Sequence, residues 1–318
     1  MDNQTHQDLE IVYNYLHRQS TLNIDEMSVD LLLSQTRLTA LFSELNNMGL
    51  AISCDSNGLS LRTSSDKIDA EFIKLQIQKT CNKTLIYNFI SESTNQLAQN
   101  NQQDSIYICD YQSQGRGRLA KKWVTPLGQS IAISISHRFD FGLKKLTGLN
   151  IAVGVAIIQT LKQCGGKDMG LKWPNDIISP TGKVAGILIE ASGNLKSCRA
   201  IIGIGINWNI RQELLNNIDQ PCRNAEISKT SRSQFIIHLI GNLEKALTEF
   251  STNQLANIQS TWQQHDVYLD KNINVLQGKK TIPAVYKGIN QLGLLRVKIN
   301  NELTTVASGE VSIRLRDA

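Results

Sequence analysis

Between Gln112 and Lys122 the chain reads QSQGRGRLAKK, two arginines interleaved with glycines and followed by two lysines. That combination suits an anion. Gly115 and Gly117 lack Cβ atoms and let the backbone close on a ligand, while Arg116 and Arg118 offer planar donor forks matched to carboxylate and phosphate oxygens. Arginine-glycine repeats also occur in low-complexity RNA-binding tails. This run instead lies between a predicted strand ending at Asp110 and another starting at Ser130, where a short basic loop points to a ligand site.

Three further groups could serve the same anion. In Leu171-Lys172-Trp173-Pro174-Asn175-Asp176, Pro174 cannot donate to a ladder and ends a strand, which puts its neighbours at a sheet edge. Asn175 and Asp176 are oxygen ligands suited to Mg²⁺ beside a phosphate, whereas Trp173 can equally be core. In Gly182-Lys183-Val184-Ala185-Gly186, Lys183 is either a solvated flank or a cation placed to stabilise charge at phosphorus, and Gly186 permits close approach. Gly203-Ile204-Gly205-Ile206-Asn207-Trp208 lacks the third glycine of a dinucleotide fingerprint and is better read as a strand leaving room beside a ligand. No G-x-x-x-x-G-K-[ST] run is present, and His137, His238 and His265 have no evident catalytic partners.

These residues need a scaffold. At 318 residues the chain predicts two or three domains, and 41% apolar with 19% charged residues is ordinary for a folded protein. A net charge of +5 suits nucleotides or an acidic protein partner without requiring nucleic acid. Six scattered cysteines with no C-x-x-C pair predict no structural zinc and fit a reducing cytoplasm, as does a polar N-terminus without an apolar leader. The apolar run Leu146 to Leu161 is short and carries Asn150, Gln159 and Thr160, so it predicts a buried helix and no membrane span.

Residues 1–64 predict three helices and a hairpin. Leu9, Val12, Tyr13 and Leu16 form one stripe; a second helix follows Asn23, with Glu26 placed to reach back; a third follows Ser34 and stops at Gly49; a hairpin turns at Asn57-Gly58. This is the outline of a winged helix-turn-helix or of a small interaction module, with Gln35, Thr36, Arg37 and Thr39 on the exposed face of the third helix. Residues 65–268 predict strands at Thr84–Ile90, Ser105–Asp110, Ser130–Ser136, Val184–Glu190 and Ala200–Asn207, with helices at Ser93–Gln99, Leu146–Cys164 and Ser233–Phe250: an α+β layer domain. Residues 269–318 predict short strands with turns at Gln277-Gly278, Gln291-Leu292-Gly293, Asn300-Asn301 and Ser308-Gly309, a spacing that closes small barrels.

The motifs Ser93-Thr94-Asn95-Gln96, Gln112 to Arg118, Lys172 to Asp176, Lys183 to Gly186, Gly203 to Asn207 and Ser308-Gly309-Glu310-Val311-Ser312, in that order, resemble the bacterial bifunctional biotin protein ligases and biotin operon repressors over essentially the full length. The resemblance implies a winged helix-turn-helix, a central mixed sheet of the class II synthetase type and an SH3-like barrel. It implies a cytoplasmic ligase that forms biotinyl-5′-adenylate from biotin and ATP with Mg²⁺, transfers biotin to a lysine of the biotin carboxyl carrier protein of acetyl-CoA carboxylase, dimerises with adenylate bound and represses biotin-synthesis genes at operator DNA. It places Ser93, Thr94, Asn95, Gln112, Gly115, Arg116, Gly117, Arg118, Lys183 and Gly186 at biotin. Arg118, Trp123, Lys172, Asn175, Asp176 and Asn207 go to the nucleotide, with Asp176 toward magnesium and Lys183, Arg116 and Arg118 in catalysis. Rival readings are a lipoate ligase or octanoyltransferase of related fold, and a biotin-sensing transcription factor without ligase activity. The sequence departs from the family at Gln35, Ala40 and Leu32, where arginine, lysine and glycine are usual, in a wing without lysine, and in a segment Asn209 to Asn224 without tryptophan. Fewer cations imply weaker, less salt-dependent DNA binding.

Overall fold

The computed structural model describes residues 2–18, 22–55, 58–61, 66–309 and 311–316. Helices α1 (Asn3–Leu16), α2 (Ile24–Leu31) and α3 (Gln35–Asn47) are followed by strands β1 (Ile52–Asp55) and β2 (Gly58–Leu61), paired antiparallel. Each helix starts where a capping side chain stands: Asp2, Asn23 and Ser34 accept the N–H groups of Thr5, Asp25 and Arg37. Gly49, at φ 109°, ends α3; its N–H reaches Asn46 O (2.9 Å) and that of Leu50 reaches Leu45 O (3.0 Å). The hairpin-turn residues 56–57 and the joint 62–65 lie outside the described residues. The apolar stripes of α1 to α3 close a core that also takes in Phe89 and Leu127 of the next part of the chain, so this unit is docked by shared burial.

The middle of the chain is a seven-stranded mixed sheet with spatial order β3-β4-β5-β9-β8-β7-β6. Its strands are β3 (Thr84–Ser91), β4 (Ser105–Gln112), β5 (Ser130–Phe139), β6 (Gly170–Lys172), β7 (Asp176–Ser179), β8 (Gly182–Gly193) and β9 (Cys198–Asn207). Only β3 and β4 run parallel. Helices α4 (Ala70–Ile77), α6 (Leu149–Gln163), α8 (Arg232–Asn253) and α9 (Gln259–His265) pack into one apolar core with the sheet. The short α5 (Thr94–Asn100) lies against Tyr107 and Ile201 in a separate small cluster, and α7 (Gln212–Asn216) follows β9. The alternation Ile131, Ile133, Ile135 does mark one face of β5. The intervening Ala132, Ser134 and Ser136 are just as buried, because the strand lies between two covered faces.

The sequence and the structure differ at several elements. The helix predicted from Leu146 is divided: a 3-10 turn covers Leu143–Leu146, Gly148 takes φ 90°, and α6 starts at Leu149. Strand β6 is the one that the sequence ends at Pro174, whereas helices α4, α7 and α9 and strand β7 were not anticipated; these four are eight residues or fewer, too short for periodicity to declare. A buried ion pair knits the domain: Arg232 of α8 donates to Asp110 Oδ1 of β4 (2.7 Å), both side chains with no exposure, and also to Ser130 O (3.0 Å) and to Asp66.

Five antiparallel strands finish the chain: β10 (Asn272–Gln277), β11 (Lys280–Ile289), β12 (Leu295–Ile299), β13 (Glu302–Val306) and β14 (Val311–Leu315), in the order β13-β12-β11-β10-β14. The four turn signals fall between these strands, although Glu310 lies outside the described residues. Among the described residues no helix is long and apolar enough to cross a membrane.

Candidate functional site

The basic loop is tied at its base. Gln112 bridges to Thr125, Trp123 N–H donates to Gly115 O (2.8 Å), and Gly117 N–H donates to Lys121 O (2.7 Å). A Cβ at Gly115 would stand 2.4 Å from Trp123 O, so glycine is required there; at Gly117 the nearest atom would be 3.4 Å away, an ordinary contact. The loop and strands β8 and β9 enclose a cleft lined by Ser93, Thr94, Asn95, Gln112, Arg116, Gly117, Arg118, Trp123, Asn175, Lys183 and Gly186, together with Gly203 and Gly205.

One end of the cleft is polar and buried. Gln112 Oε1 accepts the N–H of Thr94 (2.9 Å), and its amide nitrogen donates to Thr125 Oγ1 (3.0 Å). Ser134 Oγ lies 2.7 Å from Thr94 Oγ1 and 2.6 Å from Asn95 Oδ1, and Asn95 Nδ2 donates to Glu190 Oε2 (2.7 Å). Ser134, Thr125 and Glu190 were missed from sequence. The available signal was the serines interleaved with isoleucines in β5.

The other end is cationic. Lys183 Nζ stands 2.6 Å from Asp176 Oδ1, and Lys172 Nζ stands 3.5 Å from Oδ2. Burial pushes the Asp176 carboxyl up, but Lys183 and Lys172 together outweigh it and leave its pKa below the usual carboxylate value. Burial also lowers the Lys172 ammonium, against the opposing pull of Asp176. Arg118 donates to Asn175 Oδ1 (2.9 Å) and to the carbonyls of Ser308 (2.5 Å) and Gly309 (2.6 Å), so the turn before β14 holds the loop. Burial lowers the Arg118 pKa below its ordinary value, with Asp176 resisting. Gly186 and Gly205 face each other across β8 and β9, and the Trp123 indole lies on them; a Cβ at Gly205 would meet the ring at 2.2 Å. Lys183 Nζ is 5.3 Å from the indole centroid.

Gly115, Lys172, Asp176 and Asn207 do not line the cleft. Lys172 and Asp176 stand behind Lys183 on a neighbouring cavity with Arg314, and Asn207 Nδ2 donates to Lys183 O (3.0 Å). Among the described residues no three His, Cys, Asp or Glu side chains gather as a metal site, and the Asp176 carboxylate is already matched by two lysines. The donor set does not fit a magnesium ion held by the protein alone.

The residues flagged for DNA on α3 are engaged within the unit. Arg37 pairs with Asp8 (2.7 Å) and donates to Thr5 Oγ1 (2.9 Å), Gln35 donates to Asp25, Thr39 donates to Gln35 O (2.9 Å), and Thr36 is exposed. Residues 1–61 carry eight Asp or Glu against Arg18 and Arg37.

Residues 86–207 match the model of the biotin/lipoate A/B protein ligase family. The chain is 30% identical over 211 residues to the bifunctional ligase/repressor BirA of Escherichia coli (strain K12), covering 65% of each protein. It is 29% identical to the protein of the same name from Salmonella typhimurium (strain LT2), covering 65% of this chain and 66% of that one, so the chain spans just under two thirds of these relatives. A biotin protein ligase from Aquifex aeolicus, solved with biotin and ATP, superposes with a TM-score of 0.65 at 24% identity over 74% of this chain and all of that one, which shows a common fold.

Proposed function

We infer from the match of residues 86–207 to the model of the biotin/lipoate A/B protein ligase family that the protein is an ATP-dependent biotin protein ligase. One observation carries the reading: a buried polar pocket and a cationic end share one cleft under one arginine-bearing loop. The polar end fits a ring with N–H and C=O groups. A lipoyl or octanoyl chain offers no ring N–H or C=O to a cleft end lined by Thr94, Asn95 and Gln112, which disfavours the lipoate ligase and octanoyltransferase readings.

In the first half-reaction a biotin carboxylate oxygen bonds to the α-phosphorus of ATP, and the bond to the bridging oxygen breaks to release pyrophosphate. Two anions must meet, so fixed cations are needed beforehand. Arg116, Arg118 and Lys183 line the cleft and supply them. Asp176 holds Lys183, Asn175 holds Arg118, and Asn207 steadies the backbone of Lys183, which gives these residues a role beside the nucleotide through their partners. In the second half-reaction a neutral lysine amine of the carrier protein attacks the acyl carbon and AMP leaves. Magnesium, which neutralises triphosphate charge when bound, would arrive on the nucleotide. Closure of the Gly115 to Arg118 loop would exclude water from the mixed anhydride.

The same reading assigns residues 1–64 to a winged helix-turn-helix, 65–268 to catalysis and 269–318 to an SH3-like barrel, in a cytoplasmic protein that dimerises when the adenylate is bound. A repressor role at the operator of biotin-synthesis genes is supported by the similarity to the two bifunctional ligase/repressor proteins. The acidic balance of residues 1–61 and the engagement of Arg37 favour weak DNA binding with a shallow salt dependence. The decisive experiment for the ligase is biotin-dependent exchange of pyrophosphate into ATP followed by labelling of a carrier lysine; labelling of nothing, with DNA bound in a biotin-dependent way, would favour a sensor without ligase activity.

A further inference from the structure

Extending the biotin reading above, we propose that Glu190 is a positioning residue that fixes the donor and acceptor pattern of the ring pocket, so that the pocket selects a cyclic urea by its N–H groups. Glu190 does not line the cleft. It acts through a chain of hydrogen bonds, part-buried at Glu190 and buried at Ser134 and Thr94, and proton counting along that chain leaves Thr94 Oγ1 an acceptor toward the cleft.

An ionised carboxylate only accepts, so the Asn95 group 2.7 Å from Glu190 Oε2 is the amide nitrogen, and Asn95 Oδ1 faces Ser134 at 2.6 Å. Gly203 leaves this orientation its space, since a Cβ there would stand 2.2 Å from Asn95 Oδ1. Ser134 has one proton, and Asn95 Oδ1 cannot donate, so Ser134 donates to Asn95. The 2.7 Å contact between Ser134 and Thr94 then runs from Thr94 to Ser134. A 3.3 Å approach to Gln112 Oε1 competes for the same Thr94 proton, and either partner leaves Thr94 Oγ1 as an acceptor toward the cleft. Gln112 cannot reverse this, because its Oε1 accepts the backbone N–H of Thr94. An acceptor at Thr94 fits a ring N–H and penalises a ligand without one.

A neutral amide at 190 would remove the compulsion. With Glu190→Gln, Asn95 can flip, Ser134 can donate to Thr94, and Thr94 can turn its proton toward the ligand N–H. The second contact of Glu190, to Arg116 at 3.4 Å, joins side chains 30% and 43% exposed and contributes little in water.

The test measures biotin-dependent ATP–pyrophosphate exchange in the full chain for wild type, Glu190→Gln, Ser134→Ala and the double variant. A mispaired buried donor predicts a KM for biotin about tenfold higher in Glu190→Gln, with kcat and the KM for ATP held within about twofold. Because Ser134→Ala breaks the chain between Glu190 and Thr94, Glu190→Gln should add nothing on that background. An unchanged biotin KM, a loss spread equally over both substrates, or effects that simply add would each overturn the proposal. Absence of biotin-dependent exchange in the wild type would instead overturn the ligase reading, and this extension with it.

Discussion

Lys183 Nζ rests 2.6 Å from Asp176 Oδ1, and the same carboxylate takes Lys172 at 3.5 Å on its other oxygen. The cation at the centre of the cleft is therefore held in place before any substrate arrives. A fixed cation needs no reorganisation when charge develops on the phosphate, which is where electrostatic catalysis gains most. Lys183→Ala should lower the rate of pyrophosphate exchange about 10²- to 10³-fold in a protein whose circular dichroism shows the fold retained, with Tm lowered by the loss of the Asp176 ion pair. Exchange near the wild-type rate would remove Lys183 from the mechanism.

Asp176 carries a prediction in pH. Its pKa in the folded protein lies below the ordinary value of 3.8 because Lys183 and Lys172 outweigh the effect of burial. A depressed carboxylate contributes stability above its unfolded pKa and loses that contribution as pH falls through the folded value. Urea unfolding of wild type and Asp176→Asn should therefore differ by a constant amount between pH 7 and about pH 5, roughly 3 kcal/mol for an ion pair broken at one partner. The difference should shrink only below pH 3.8. A gap that closes already near neutral pH would show that the lysines do not set this group.

Gly205 tests the floor of the cleft. A methyl group at 205 would collide with the indole of Trp123 at 2.2 Å, so Gly205→Ala must lift that ring and the loop end with it. The expected result is a KM for biotin and ATP raised together, by about tenfold or more, in a protein that still folds. The buried Trp173 and Trp262 should keep their emission while the Trp123 contribution changes, which site-specific Trp→Phe variants would separate. Unaltered kinetics would mean that the indole does not need this floor.

Much of this was legible beforehand, and what was not has physical causes. Glycines, arginines and lysines announce a loop for anions because few other residues permit close backbone approach or supply donor forks, so Gly115, Arg116, Arg118 and Lys183 could be named from sequence. Glu190 and Ser134 could not. A serine in a strand and a glutamate near a strand end have ordinary surface explanations, and only the pairing of β5, β8 and β9 brings them beside Asn95. Gly117 differs from Gly115: it lines the cleft, but its protein neighbours alone would accept a side chain there. The turn signals of the last five strands were readable because Gly278 and Gly293 take positive φ, while α4, α7 and α9 are too short to show a period.

For DNA, the charge of the N-terminal unit makes a quantitative prediction. With Arg37 committed to Asp8, Arg18 and Arg62 are the other arginines of residues 1–64, and few phosphates can be neutralised. A gel-shift series over salt, using the upstream region of biotin-synthesis genes with biotin and ATP present, should give a slope of log affinity against log salt no steeper than about −4 for a dimer with two such arginines in each unit. A slope of about −8 or steeper would show phosphate contacts that these units do not supply, and would call for another surface.

The central claim is that one cleft activates biotin and hands it to a lysine. Incubating the purified full chain with ATP, magnesium, labelled biotin and a biotin carboxyl carrier domain should give label on a single carrier lysine. Biotin, and not lipoate, should drive exchange of labelled pyrophosphate into ATP. Exchange driven equally by lipoate, or no exchange and no carrier label with a correctly folded protein, would contradict the account.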